Sequence, residues 1–204
     1  MAQPLQRERL VVKRLSRGFT LVEMMIVVVI VGVLATLAVV GYRKLVNSSH
    51  VSEATSMVQN IRLAQEAYHS ETQQYANIST AIPSGASPTA SGILYPGDPK
   101  YGIQTGWGAA CTAICGKNWD WNMLPLHVDA PVLFGYATIA GPANTAPAVT
   151  TLTVNGKTVS LPNPSPVDWY VIGAEADLDG DSTTTTNVFG TSWTNQIWVS
   201  NEGL

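Results

Sequence analysis

The sequence predicts an α+β protein, in which one long N-terminal helix packs its second half against an antiparallel β-sheet. Three observations support this fold class. Residues 24–42 form an uncharged, largely apolar stretch. Residues 51–68 place apolar side chains at the three- and four-residue spacing of a helix. The C-terminal half holds several short β-rich segments separated by turn residues.

The apolar stretch is 19 residues long, and as a helix it would span roughly 28 Å, close to the hydrocarbon thickness of a bilayer. A buried core helix of this length would ordinarily carry a polar stripe. Five basic residues precede the stretch, whereas only Arg43 and Lys44 closely follow it. The excess of basic residues predicts that residues 1–18 stay in the cytoplasm and that residues 43–204 cross the membrane, into the periplasm of a bacterial cell.

Two simpler kinds of N-terminal segment share these features. A secretory signal also has a basic start and an apolar run, but it needs a small-residue cleavage site after that run. Residues 35–41 read ATLAVVG and contain no Ala-x-Ala. An uncleaved membrane anchor fits the hydropathy equally well, so hydropathy alone leaves the choice open.

The charge is divided between the two ends of the chain. Residues 1–18 contain five basic residues and one acidic residue, whereas residues 19–204 contain six basic and thirteen acidic residues. Cleavage between them would release an acidic product from a basic leader. Because the acidic part shows no basic patch, we expect no nucleic-acid partner.

Glu23 is the informative residue at the start of the apolar stretch. A carboxylate there is costly in lipid unless it has a partner or is neutralised. No basic residue lies near it on the downstream helical face. Cleavage between Gly18 and Phe19 would create an α-amino group close to this carboxylate.

Residues 17–23 (RGFTLVE), followed by the apolar stretch, resemble the class III signal of type IV pilins and type II secretion pseudopilins. The resemblance implies that a membrane-embedded prepilin peptidase cuts between Gly18 and Phe19 and methylates the new N-terminus at Phe19. It also implies that Glu23 pairs with the terminal amine of a neighbouring subunit during assembly. Family members often carry a helix-kinking proline where this chain has Val40, so Gly32 is the candidate weak point of the helix.

The predicted helix extends from about residue 20 to about residue 75. Its second half is amphipathic, and Asn47-Ser48-Ser49 is the candidate break if there are two helices. The predicted buried stripe consists of Val51, Ala54, Val58, Ile61, Ala64 or Gln65, and Tyr68, with Met57 and Leu63 flanking it. The resulting domain plan is a leader (1–18), a transmembrane or filament-core helix (19–42), its amphipathic continuation (43–75) and a head (76–204).

Within the head, residues 76–100 have the Ser, Gly and Pro content of an irregular connection, and residues 101–204 are β-rich. Strands are predicted at 132–139, within 150–161, at 169–176 and at 197–200, together forming a four-stranded sheet on the helix. Asn155-Gly156 between β-rich flanks predicts a hairpin with a type I′ turn. The Thr183–Thr186 run reads as an exposed loop.

Two groups of residues in the head are candidates for cross-linking or metal binding. Cys111 and Cys115 would lie in an oxidising compartment, where we expect a local structural disulfide. Asp177, Asp179 and Asp181 offer carboxylates at the alternate spacing that suits Ca²⁺. The remainder of an EF-hand pattern is missing, so a solvated Asp-Gly turn between the last two strands is the alternative.

No arrangement of catalytic residues is apparent, and we expect that the chain is not an enzyme. His50, His69 and His127 are far apart in the sequence, and no nucleophile-elbow, zinc-protease or phosphate-loop motif occurs. Six tryptophans are many for a chain of this size. Packing in the head or against neighbouring subunits explains them, and a sugar-binding platform is the alternative.

The resemblance implies a structural subunit of a type IV pilus, anchored in the bacterial inner membrane before assembly and part of a cell-surface filament afterwards. The implied partners are copies of the chain, other pilins, the prepilin peptidase, an inner-membrane assembly platform and, before assembly, membrane lipid. The alternatives are a minor pilin or a type II secretion pseudopilin, adhesive through the Trp-rich head. A membrane-anchored domain that never polymerises is a third reading. No cofactor is expected apart from the candidate Ca²⁺.

Overall fold

The computed structural model describes residues 18–85, 93–97, 106–107, 121–181 and 183–201. The chain divides into two compact units, Met1–Gly41 and Tyr42–Leu204. The elements in chain order are α1 (Leu21–Thr72), a short 3₁₀ helix (Trp121–Met123), β1 (Gly135–Gly141), β2 (Thr151–Val154), β3 (Lys157–Ser160), β4 (Trp169–Ala176), β5 (Thr186–Thr191) and β6 (Thr194–Ser200). The predicted α+β, pilin-like arrangement is confirmed.

Helix α1 is continuous over 52 residues, so neither glycine of the apolar stretch nor Asn47-Ser48-Ser49 interrupts it. Its buried residues are Val51, Ala54, Met57, Val58, Ile61, Ala64 and Gln65. The predicted stripe is therefore confirmed at its centre, with Ala64 and Gln65 both buried. Leu63 is 69% exposed, and Tyr68 is only partly buried against the core.

Strands β1, β4, β5 and β6 form one antiparallel sheet in the order β1-β4-β5-β6. Strand β4 coincides with the predicted segment 169–176 and is buried along its whole length. This follows from its central position, because α1 covers one face of the sheet and the hairpin β2–β3 covers the other. Alternate residues accordingly join two cores: Tyr170 and Ile172 pack with the α1 stripe, and Trp169 and Val171 pack with Leu152 of β2.

The predicted composition of the four-stranded sheet is wrong in two respects. The sheet includes β5, which the sequence did not predict, and the hairpin β2–β3 is not part of it but forms a separate two-stranded sheet. Thr185 and Thr186, read as exposed loop, are 7% and 3% exposed because Thr186 begins β5. The Asp-Gly turn consequently connects β4 to β5 rather than the last two strands.

The predicted type I′ hairpin is confirmed: Asn155 and Gly156 have φ values of 49° and 73°, and β2 pairs with β3 in register around them. The side chain of Asn155 also holds this hairpin to the end of β6. Its Oδ1 accepts a hydrogen bond from the Asn201 backbone N–H at 2.9 Å, and the backbone N–H of Asn155 donates to Ser200 Oγ at 2.9 Å.

Close packing of α1 on the sheet depends on Gly190 in β5. A Cβ atom at this position would lie 2.8 Å from Val58 Cγ1 and 3.4 Å from Arg62 Cδ. Arg62 in turn donates hydrogen bonds to the start of β6, to Thr194 O and Asn195 O, each at 3.1 Å. The amphipathic half of α1 is thereby attached to the far edge of the sheet as well as to its centre.

Candidate functional site

The predicted cleavage junction lies just before the first turn of α1. Gly18 is exposed, with no atom within 4 Å of a Cβ built on it, and Phe19 is 78% exposed. The helix begins only at Leu21, so the Gly18–Phe19 peptide lies in non-helical, accessible backbone. Cleavage and methylation at this junction remain predictions.

Glu23 has a local partner that the sequence reading missed. The Glu23 N–H donates to Thr20 Oγ1 at 3.1 Å, and the Thr20 N–H donates to Glu23 Oε2 at 3.5 Å. This reciprocal pair is a capping box, in which Thr20 is the N-cap and Glu23 the third helical residue. The Thr-x-x-Glu spacing before an apolar run could have revealed it. Helix capping is thus a second reason for a carboxylate at this position, besides pairing with an amine.

From Leu21 to Leu45, α1 exposes its large apolar side chains on every face. They are Leu21, Val22, Met24, Met25, Ile26, Val27, Val28, Val29, Ile30, Val31, Val33, Leu34, Leu37, Val39, Val40, Tyr42 and Leu45, all at least 46% exposed. By length and composition α1 could cross a membrane, and the apolar window is not buried inside the protein. Such a surface needs an apolar environment outside the chain itself.

The three aspartates of the β4–β5 turn come together. One carboxylate oxygen from each of Asp177, Asp179 and Asp181 lies within 4.8 Å of the others, with Asp177 buried and the other two exposed. Each carboxylate also accepts a backbone hydrogen bond within the turn: Asp177 Oδ1 from the Gly180 N–H, Asp179 Oδ1 from Asp181 and Asp181 Oδ1 from Thr183. This geometry is compatible with both readings of the turn, and a calcium site stays a prediction.

The Asp181 carboxylate accepts hydrogen bonds from the residues that lead into β5. Its Oδ1 accepts the N–H groups of Thr183 and Thr184 at 2.7 Å each, and its Oδ2 accepts the Thr183 hydroxyl at 2.7 Å. These hydrogen bonds, first that of the Thr183 hydroxyl, hold the pKa of Asp181 well below its usual value. The ionised carboxylate is therefore part of the turn.

The remaining candidates named from the sequence are the two cysteines and the tryptophans. Cys111 and Cys115 lie outside the described residues, so their disulfide stays a prediction. Trp169 is 4% exposed; its ring stacks on that of Trp193, and its N–H donates to Thr145 Oγ1 at 3.0 Å. Packing therefore accounts for Trp169, as expected for most of the tryptophans.

The three histidines do not meet, because each lies near a carboxylate of its own. The described pairs are His50–Glu53 at 3.7 Å, His69–Asp168 at 3.5 Å and His127–Asp129 at 2.7 Å.

A cluster at the end of α1 was not predicted. The hydroxyls of Tyr170 and Tyr75 both donate to Glu66, at 3.1 and 3.3 Å, and the two rings meet edge to face. Burial, followed by the negative charge of Glu66, raises the pKa of Tyr75 to about 12. The cluster fixes the last turns of α1 against β4, and nothing in the separate sequence positions of these residues indicated it.

Comparison with known proteins bears on the N-terminal segment. The family model of the prokaryotic N-terminal methylation motif matches residues 13–39. This range contains Gly18, Phe19, Thr20, Glu23 and the start of α1. No solved structure matches the chain.

Three curated relatives illustrate the similarity. Type IV major pilin protein PilA of Myxococcus xanthus (strain DK1622) is 39% identical over 67 residues, which is 33% of this chain and 30% of the relative. Fimbrial protein EcpC of Eikenella corrodens is 39% identical over 59 residues, 29% of this chain and 39% of the relative. Type IV major fimbrial protein FimA of Dichelobacter nodosus is 41% identical over 51 residues, 25% of this chain and 32% of the relative.

The matched part of the chain thus spans about a third of the length of these relatives. Within that limit, the resemblance to type IV pilins is confirmed, and residues 13–39 match the prokaryotic N-terminal methylation motif. The relatives are named as pilins and fimbrial proteins, not as enzymes. The reading as a type II secretion pseudopilin is not supported by these names and stays a prediction.

Proposed function

We propose that the chain is a structural subunit of a type IV pilus, inserted in the inner membrane as a precursor, cleaved after Gly18 and polymerised through α1. The observation that carries the proposal is the exposed apolar surface of residues 21–45, most of which lies within the range matched by the methylation motif, residues 13–39. Burying such side chains contributes about 1.5–3 kcal/mol each, which favours first a bilayer and then a bundle of like helices.

Glu23 would set the axial position of one subunit against the next. In the single chain its carboxylate accepts a hydrogen bond from the Thr20 N–H at 3.5 Å, which is a long and therefore weak bond. In a filament the same carboxylate would pair with the α-amino group of a neighbouring subunit's Phe19. A charged pair inside an apolar bundle is favoured strongly over an unpaired charge, and it gives the apolar contacts one preferred register.

The experiment is performed in the native host with variants that separate the two roles of Glu23. Glu23→Gln keeps the capping box, since glutamine also serves as its third helical residue, but removes the charge. Thr20→Ala removes the cap and keeps the charge. We expect Glu23→Gln to reduce the amount of sheared surface filament strongly, and Thr20→Ala to leave most of it.

Intact-mass measurement of the wild-type filament protein tests the processing step, and we expect a chain that starts at an N-methylated Phe19. A mass that retains residues 1–18 would contradict the cleavage. Normal filaments from Glu23→Gln would contradict the pairing role, and material found in membranes but never in filaments would favour a non-polymerising anchored domain. The abundance of the chain in sheared filaments also separates a major subunit from a minor pilin or pseudopilin.

A further inference from the structure

The start of α1 is fixed by two hydrogen bonds to Thr20. The Met24 N–H donates to Thr20 O at 3.2 Å, the hydrogen bond that opens the helix. The Glu23 N–H donates to Thr20 Oγ1 at 3.1 Å. This second bond satisfies one of the N–H groups that a helix leaves without a backbone acceptor at its start. Thr20 is therefore the last residue before the helix.

This boundary leaves the Gly18–Phe19 peptide bond outside α1. The helix begins at Leu21, and Gly18, Phe19 and Thr20 are exposed and lie outside regular secondary structure. A Cβ atom at Gly18 would meet no atom within 4 Å. Exposed, irregular backbone is the form of the chain that proteases cut most readily. The scissile bond of the proposed processing step thus lies two residues before the helix.

Gly18 is the nearest upstream residue at which the helix could begin if Thr20 lost its capping oxygen. Glycine and threonine rank together as N-caps, whereas large apolar residues rank far below them. A helix capped at Gly18 would have Phe19 as its first helical residue. The Gly18 carbonyl would then accept a helix hydrogen bond from the Val22 N–H. The carbonyl that must be attacked in cleavage would consequently be held inside the helix.

We propose that Thr20 is a positioning residue for cleavage: its cap holds the start of α1 at Leu21 and keeps the Gly18–Phe19 bond in accessible backbone. In this hydrolysis, water adds to the Gly18 carbonyl carbon and the bond from that carbon to the Phe19 nitrogen breaks. The protons of the water end on the nitrogen, so the products are a leader with a Gly18 carboxylate and a chain with a Phe19 ammonium group. The inference rests on the proposed cleavage after Gly18.

The expected effect follows from the strength of an N-cap. Loss of a threonine cap shifts the balance between the two helix starts by about fivefold. Because Gly18 is a competent cap, the accessible form should fall by about two- to fivefold rather than disappear. The remaining rate still processes the precursor during growth. Slower cleavage is therefore compatible with the retention of most surface filament in Thr20→Ala.

The experiment follows the full chain in its native host by pulse labelling, with the precursor and the mature chain separated by mass. Thr20→Ala and Thr20→Val remove the capping oxygen, and we expect both to be cut about two- to fivefold more slowly than the wild type. Thr20→Ser and Thr20→Asn keep a capping oxygen and should be cut at the wild-type rate. Valine has nearly the shape of threonine, so the four variants separate capping from recognition of side-chain shape by the peptidase.

Thr36→Ala is the matched control. Thr36 is an exposed threonine of the same apolar stretch, and its Oγ1 donates to Val33 O at 2.7 Å, within the helix rather than at its start. We expect this variant to be cut at the wild-type rate. A wild-type rate in Thr20→Ala would overturn the inference. Normal cutting of Thr20→Val together with slow cutting of Thr20→Asn would also overturn it, as would equally slow cutting of Thr36→Ala and Thr20→Ala.

The same measurement keeps this inference separate from the proposed function. A wild-type precursor that is never cut contradicts the proposed processing itself. A wild-type precursor that is cut after Gly18, but no faster than Thr20→Ala, contradicts only the positioning role of Thr20.

Discussion

Gln65 determines how the chain leaves α1, and its replacement tests the packing of the head most directly. Its side chain is fully buried; Oε1 accepts the Ala76 N–H at 2.9 Å, and Nε2 donates to Ala76 O at 2.7 Å and Thr138 Oγ1 at 3.1 Å. Gln65→Leu leaves the Ala76 N–H without its acceptor and the Ala76 carbonyl without its donor. Each buried backbone group left unsatisfied costs about 1–3 kcal/mol. After a small offset from added apolar contact, we expect a loss of about 2–4 kcal/mol.

The assay is urea unfolding of the full chain in a mild non-ionic detergent, followed by tryptophan fluorescence, with the free energy of unfolding taken from linear extrapolation. Gln59→Leu is the control, since Gln59 is exposed on the same helix and surface changes usually stay within about 0.5 kcal/mol. A loss below about 1 kcal/mol, or one equal to that of the control, would refute the conclusion that the buried hydrogen bonds of Gln65 to Ala76 stabilise the fold.

Gln65→Glu supplies a second measurement whose sign is fixed by the same geometry. A carboxylate cannot donate to Ala76 O, and burial also disfavours its charged form, so its pKa should rise in the folded state. A folded-state pKa above the unfolded value gives stability that is present below the unfolded pKa and lost as the pH rises through the folded one. The difference in stability between the variant and the wild type should therefore grow as the pH rises. A difference that instead shrinks with rising pH would contradict the hydrogen-bond pattern.

Three further predictions concern Gly190, Tyr75 and Asp181. Gly190→Ala should cost about 1–3 kcal/mol by overpacking against Val58, measured by urea unfolding; an unchanged midpoint would mean that α1 does not pack as closely as described. Because the pKa of Tyr75 is raised from 10.0 to about 12 by burial and Glu66, its contribution to stability is present below pH 10 and lost towards pH 12. Tyr75→Phe should flatten this alkaline decline, and an equally steep decline would contradict the shift. Asp181→Asn should lower the Tm less than Asp181→Ala, because an amide oxygen still accepts the backbone N–H groups. A higher Tm with calcium than with chelator would favour the metal site, and the same Tm in both would favour the solvated turn.

The N-terminal half of the molecule was largely predictable because its determinants are local. An uncharged stretch, an amphipathic spacing and the Gly18-to-Glu23 motif each act within a few residues, and α1 and the methylation motif follow from them. The Asn155-Gly156 hairpin is predictable for the same reason, since its turn conformation depends on those two residues. The capping box of Thr20 and Glu23 was equally local, and its spacing was present in the sequence although the prediction overlooked it.

The composition of the sheet and the burial of polar side chains depend on contacts between residues that are distant in sequence. β5 lacks a strong hydrophobic pattern because Gly190 must admit the close approach of Val58 and because its polar residues are buried by the sheet around it. Ala64 and Gln65 are both buried. The sequence could not show this for Gln65, because its hydrogen-bond partners, Ala76 and Thr138, are distant from it in sequence. The sequence by itself therefore determined the long helix, its apolar surface and its methylation motif, all set by periodicity and short spacing. Only the tertiary structure decided which strands share a sheet and which polar groups are buried, because those outcomes depend on contacts that no local pattern encodes.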